Sequence, residues 1–448
     1  MVDVSGLPNR ESLVFRNATV LTMDPQLGDL FDTDVWVKDG VIQAIGTKLD
    51  APGARDVPSK NSILMPGLID THFHLWNSVF RGLITNAEPE RGYFPVKRRM
   101  APLFTPQDSY AAARFALAES LMAGMTTVVN WNHNLRSPAD ADANVRAQLD
   151  SGLRTRLAYG NPDALDKTQP MDMDDVLRAR DQYAGADNRL DFGVALRGPT
   201  RTERSLMFRE WEFARANNLP ITMHMGGKRI DVGRYADLME MYRDGLLGSD
   251  VQLVHAVDAN DEEIAMFAET GTKISLSTMT EIDHMGIPPI GKLLDAGVIT
   301  SLSMDTLAMP TNADMFAQMR GTLRIEHYRD ENTKVDERAV LRMATVDGAR
   351  DLGIHDQTGS LTVGKRADIT SVSSRTLALT PAVDPLRTVV NCATAADIDR
   401  VVVDGRLLVD GGKPTFFDVG DIVDEARNTL SGLLNRAEWD ILDTVGQA

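Results

Sequence analysis

Hydrophobic and polar positions follow two rhythms along this chain. Near its start the spacing is that of strands: residues 14–21 form an apolar, β-rich run. Residues 35–42 read as two short strands around Asp39-Gly40, a dipeptide suited to the positive φ angles of a tight hairpin. Residues 359–364 and 400–409 return to the same style. β-rich ends flanking a different middle predict a small β-sandwich assembled from both termini. In the middle, short apolar runs end near Phe73 and recur at 126–129, 156–159, 192–196, 220–223, 251–254, 273–276 and 298–302. Amphipathic helical stretches lie between them, as at 106–123, 207–217 and 261–269. Eight strands alternating with helices fit a (β/α)8 TIM barrel better than an open sheet. Helical spacing over 421–445 (Ile422, Ala426, Leu430, Leu433, Leu434, Trp439, Leu442) predicts a closing helix that packs on the body. The expected division is 1–65 for the first part of the sandwich, 66–355 for the barrel and 356–448 for the rest.

A chain of 448 residues exceeds what one hydrophobic core usually organises, which agrees with a large domain plus a small one. A formal net charge of -17 argues against a nucleic-acid or anionic-membrane partner, since nothing would neutralise phosphates. The first six residues lack a basic segment followed by an apolar core, and no run is long and apolar enough to span a bilayer. The expectation is a cytoplasmic enzyme with a small-molecule substrate. Cys392 is the one cysteine, so any metal must be held by histidine and carboxylate.

Such ligands are present. The run Leu64-Met65-Pro66-Gly67-Leu68-Ile69-Asp70-Thr71-His72-Phe73-His74 ends in two histidines spaced i, i+2, which a strand directs to one face. In a (β/α)8 barrel the C-terminal strand ends carry the active site. His72 and His74 end the first strand, His224 the fifth, His255 the sixth and Asp305 the eighth. Four histidines and one carboxylate make a nitrogen–oxygen site; zinc suits it, with iron, cobalt or manganese as alternatives.

These residues resemble the metal-dependent amidohydrolase superfamily, in its cytosine deaminase-like and chlorohydrolase-like branch. The resemblance also rests on Arg81-Gly82, Ala123-Gly124-Met125-Thr126-Thr127, Leu294-Asp295-Ala296-Gly297-Val298, Met343-Ala344-Thr345, Gly359-Ser360-Leu361 and Ala367-Asp368. It implies one divalent metal on His72, His74, His224 and Asp305, with His255 on the activated water or the substrate. Two-metal members add a lysine on the fourth strand, where this chain reads Phe192-Gly193-Val194-Ala195-Leu196-Arg197. Asp305 would take the proton from water, whose pKa a divalent ion lowers to ~7. A homo-oligomer is implied as well.

The chain departs from that branch at one place. Ring deaminases carry a glutamate three residues after the fifth-strand histidine, where this chain has Gly227 in His224-Met225-Gly226-Gly227. Losing a positioned acid typically costs ~100- to 10,000-fold in rate. This favours an acyl-type substrate (amide, carbamate, thiocarbamate or urea), as in the molinate and phenylurea hydrolases that the chain also resembles. Trp76, Phe80, Tyr93 and Phe94, with Met225, Met279, Met304 and Met309, predict an apolar, adaptable cavity. Trp76, Phe80, His133, Met225 and Met309 are the candidate substrate contacts. The alternative is an aminohydrolase acting on a pyrimidine, triazine or pterin, with His284 or His133 replacing the lost acid and Glu281 a further candidate. A non-catalytic scaffold is the third reading.

Overall fold

The computed structural model describes residues 6–440 except 86, 163–164, 200, 226–237, 310 and 331. Eight parallel strands run in sequential order around the barrel: β1 (Leu68–Phe73), β2 (Met125–Asn132), β3 (Arg154–Gly160), β4 (Leu190–Leu196), β5 (Ile221–Met225), β6 (Val251–His255), β7 (Lys273–Leu276) and β8 (Thr300–Leu302). Strands such as β2 are buried along their whole length, because helices cover the outside and side chains fill the inside. The covering helices start at caps written in the sequence. Thr105 and Asp108 form a reciprocal capping box before helix Pro106–Met122, and Asn260 with Glu263 does so before Asp261–Thr270.

The ring is nearly closed, and the residue that joins its ends is Asp305. Its backbone amide donates to the His72 carbonyl (2.9 Å), and its carbonyl accepts from the His74 amide (2.6 Å). Inside the barrel, hydroxyls replace hydrocarbon below these residues. Thr71 Oγ1 lies 2.8 Å from both Ser275 Oγ and Ser301 Oγ, and Ser277 pairs with Ser303 at 2.7 Å.

A nine-stranded mixed sheet is built from both ends of the chain, with its own apolar core around Phe15, Val35, Val37, Leu64, Ile369 and Val402. Ser62–Pro66 belongs to this sheet, while Leu68–Phe73 belongs to the barrel. The run read as one apolar strand is thus two, broken at Gly67. A Cβ there would come within 2.0 Å of the Thr126 side chain, so glycine is required where the chain crosses over. Asp39 and Gly40 both adopt positive φ (52° and 81°), as the hairpin reading requires. At the chain's far end, helix Val419–Arg436 packs on Pro106–Met122 and is held there by Arg114 and Glu425 (2.6 Å). The last residues of the predicted helix, Leu442 among them, lie outside the described residues.

Arg154 on β3 ties the barrel to the mixed sheet. Its Nε donates to Asp368 (2.9 Å), and Asp368 also accepts the Asp404 amide (2.8 Å). Both side chains are buried. Asp368→Ala should therefore cost about 3 kcal/mol, because it takes the bonded carboxylate from a buried guanidinium. Urea unfolding checks this; an unchanged midpoint would show that the pair contributes nothing.

Candidate metal centre

The side chains at the C-terminal strand ends converge. Ligand atoms of His72, His74 and Asp305 all lie within 4.8 Å of one another, as do those of His72, His224 and His255. His74 Nε2 is 3.1 Å from His224 Nε2, and Asp305 Oδ1 is 3.4 Å from His72 Nε2 and 3.5 Å from His74 Nε2. Atoms bound ~2.0–2.2 Å from one ion stand roughly 3.0–3.6 Å apart, so this spacing fits a shared cation. His72 supplies a second test. It is wholly buried, and among the described residues neither of its ring nitrogens has a hydrogen-bond partner. A buried nitrogen left this way is costly unless a ligand takes its lone pair, and Nε2, 3.4 Å from Asp305, is placed to give it to a shared cation.

Electrostatics prepare the same set. Burial and the neighbouring imidazoles push His74 and His224 well below the usual histidine range, which leaves the neutral form that ligates. Burial alone would raise the Asp305 carboxyl, but His72, His255 and His74 outweigh it and hold the group far below the carboxylate range. Asp305 is therefore an anion among nitrogen donors. His74 Nδ1 donates to the Trp131 carbonyl (2.8 Å), which turns its Nε2 lone pair toward the cluster. Asp70 Oδ1 accepts the amides of His72 (3.1 Å) and Met304 (3.2 Å), binding the first strand to the segment that delivers Asp305. His255 and Asp305 sit at φ of 82° and 62°, strained values for side-chain-bearing residues that point both groups inward.

His255 Nδ1 lies 3.1 Å from Glu281 Oε1 on helix Thr278–His284. Burial alone would lower the imidazole, but Glu281 and Asp305 outweigh it and raise it. His284 ends that helix and is not among the described residues whose ligand atoms group together. His133 is 4% exposed; its ring is 4.3 Å from that of His74 and 5.3 Å from that of Trp76. Burial, with the charges of Lys97 and Arg201, holds it well below the usual histidine range.

A cavity of about 570 Å³ opens beside His133 and Trp76. Phe80, Met225 and Met309 are buried and are not among its lining residues: Phe80 meets Trp76 edge-on at 6.0 Å, and Met225 belongs to the barrel core. The cavity combines apolar and cationic side chains. Beside Trp76, Phe94 and Leu165 it is lined by Lys97, Arg98, Arg136, Lys167, Arg197 and Arg201. Sequence reading missed Lys97, Arg201 and the orienting carbonyl of Trp131, because none carries a motif. Gly227, which decided the acyl-type expectation, lies outside the described residues.

Comparison with known proteins gives this geometry its context. Residues 63–408 match the amidohydrolase family. A 5'-deoxyadenosine deaminase from Methanosarcina barkeri is 28% identical over 438 residues, covering 95% of this chain and 99% of the relative. Among solved structures, an adenosine deaminase from Xanthomonas campestris with bound zinc superposes with a TM-score of 0.84. It is 23% identical and covers 96% of this chain and 100% of its own. An atrazine chlorohydrolase from Arthrobacter aurescens TC1 complexed with zinc gives 0.82 at 24% identity, covering 94% and 100%. These two similarities speak for the fold. The chain belongs to the amidohydrolase family and is a metal-dependent hydrolase of C–N bonds other than peptide bonds.

Proposed function

We propose that this enzyme is an aminohydrolase, releasing ammonia from a ring amine of a small heterocycle. The observation that carries the reading is the largely buried cluster of His72, His74, His224, His255 and Asp305, in a chain that aligns almost end to end with a deaminase. The acyl-type reading rested on Gly227 and on the apolar side chains expected near the site, and the deaminase relative outweighs both. His72, His74, His224 and Asp305 would hold one divalent ion, zinc in our reading, as in the two solved neighbours. Bound there, the ion supplies Lewis acidity that makes water a nucleophile near neutral pH.

The protein's own groups then move the protons. Asp305, ionised and facing the histidines, accepts a proton from the attacking water and returns it to the departing amine. Glu281 holds a proton on His255 Nδ1, which leaves Nε2 directed at the reacting centre, where it stabilises developing charge. With glycine at 227, the ring nitrogen needs another donor. His133 is poorly suited, since burial and the charges of Lys97 and Arg201 push it well below the usual histidine range. His255, whose Nδ1 faces Glu281, takes that role in our reading, with His284 the second candidate.

The test is product analysis by mass spectrometry on metal-loaded protein. Adenine nucleosides, aminotriazines, aminopyrimidines and pterins are offered beside aryl ureas, carbamates and anilides. Ammonia release with the ring amino group replaced by oxygen is expected. Release of an amine, aniline or thiol from the acyl compounds alone would sink the proposal.

A further inference from the structure

Asp351 stands at the end of the barrel opposite the histidines. It closes helix Val346–Asp351, and Lys273, which opens β7, donates to its carbonyl (2.8 Å). It is 3% exposed, a buried carboxyl that takes no part in the chemistry at the strand ends. A polar group so placed is costly unless its hydrogen bonds are made. Asp351 Oδ2 accepts from Gln252 Nε2 on β6 (2.8 Å) and from Ser301 Oγ on β8 (2.5 Å). Gln252 Oε1 in turn accepts from Thr222 Oγ1 on β5 (2.7 Å), and Thr222 Oγ1 accepts from Trp131 Nε1 on β2 (3.3 Å). All of these side chains are buried.

The series runs in one direction only. An indole N–H donates and never accepts, a hydroxyl has one proton, and an amide has donors at one end and an acceptor at the other. With a carboxyl oxygen facing Nε2, Gln252 turns Oε1 toward Thr222. Thr222 gives its proton to that oxygen and keeps a lone pair for the indole. With the amide reversed, Thr222 would face two donors and lose the acceptor for its own proton.

The other end of the series lies in the metal centre. The Trp131 ring packs 4.2 Å from the ring of His224, 5.0 Å from that of His74 and 5.6 Å from that of His72. Its carbonyl takes the His74 Nδ1 proton (2.8 Å). An indole anchored at Nε1 is held against all three imidazoles. Gln252 Nε2 also approaches the carbonyl of Thr71 (3.4 Å), the residue before His72.

We propose that Asp351 is a positioning residue for the metal centre: acting through Gln252 and Thr222, it fixes the Trp131 indole against His72, His74 and His224. The inference rests on those histidines being ligands, as assigned above. Groups that orient a ligand typically change metal affinity about 10- to 100-fold when removed.

Two readouts on the full-length protein test this: the Trp131 indole N–H resonance in the metal-free form, and zinc affinity by competition with a chelator. Asp351→Leu removes the acceptor, whereas Asp351→Asn keeps an oxygen for Gln252. In Asp351→Leu the resonance should move and zinc affinity should fall about tenfold or more, with Asp351→Asn returning both toward the parent. Trp131→Phe identifies the resonance among the five tryptophans. Should Asp351→Leu fail to fold, Gln252→Met cuts the series one step further on at similar side-chain length, and the same two changes are expected. An unmoved indole resonance, or zinc affinity equal to the parent in the folded variants, overturns the proposal. His74→Ala separates that outcome from a failure of the ligand assignment. If it abolishes zinc binding while Asp351→Leu and Gln252→Met leave it intact, the ligands stand and the positioning role falls. If it leaves zinc binding intact, the ligand assignment falls and takes the positioning role with it.

Discussion

Asp305→Ala is expected to reduce turnover by about 10,000-fold and to lower the metal content of the purified protein. Two separate losses combine in that number. The carboxylate is the anionic member of an otherwise nitrogen-donor cluster, and in the proposed mechanism it is also the base that carries the proton. Asp305→Asn divides them: it retains an oxygen donor but cannot accept a proton, so turnover falls while more metal is kept. Elemental analysis beside steady-state rates checks both. The substitution spares the backbone bonds to His72 and His74, so circular dichroism should stay close to that of the parent. Turnover that survives Asp305→Ala would show that another group moves the proton.

His255→Asn should lower kcat by about 100- to 1,000-fold while leaving the metal in place. His255 belongs to the cluster but is held by Glu281 and is not one of the four proposed ligands, so its removal would strip charge stabilisation from the reacting centre. Glu281→Gln should reproduce part of this loss through His255, because the amide no longer favours a proton on the imidazole. The contrast in metal content separates His255 from the ligands. A metal-free His255→Asn protein would make that residue a ligand rather than a group acting on the substrate, and our division of roles would fail.

The alternation of strands and helices was legible because it depends on local periodicity, and all eight barrel strands fall on the apolar runs that predict them. The five chemistry-bearing residues were legible for a related reason. A polar side chain that closes an apolar strand of a barrel has one end of that barrel to face. Phe80 and Met225 show the opposite case. Their types suggest a hydrophobic pocket, but the same types fill cores, and only packing decides between the two.

The sequence by itself determined the barrel, the sheet drawn from both ends, and the histidines and aspartate that meet at the strand ends. Each follows from spacing within a few residues or from the chemistry of one side chain. The tertiary structure alone decided that Glu281 serves His255, that the Trp131 carbonyl orients His74, and that Asp305 joins the ends of the ring. It also decided that Lys97, Arg197 and Arg201, scattered along an acidic chain, line one cavity. Partners of this kind arrive from separate strands and loops. Their meeting is set by how elements pack and by the charge balance that packing creates, neither of which leaves a period in the chain.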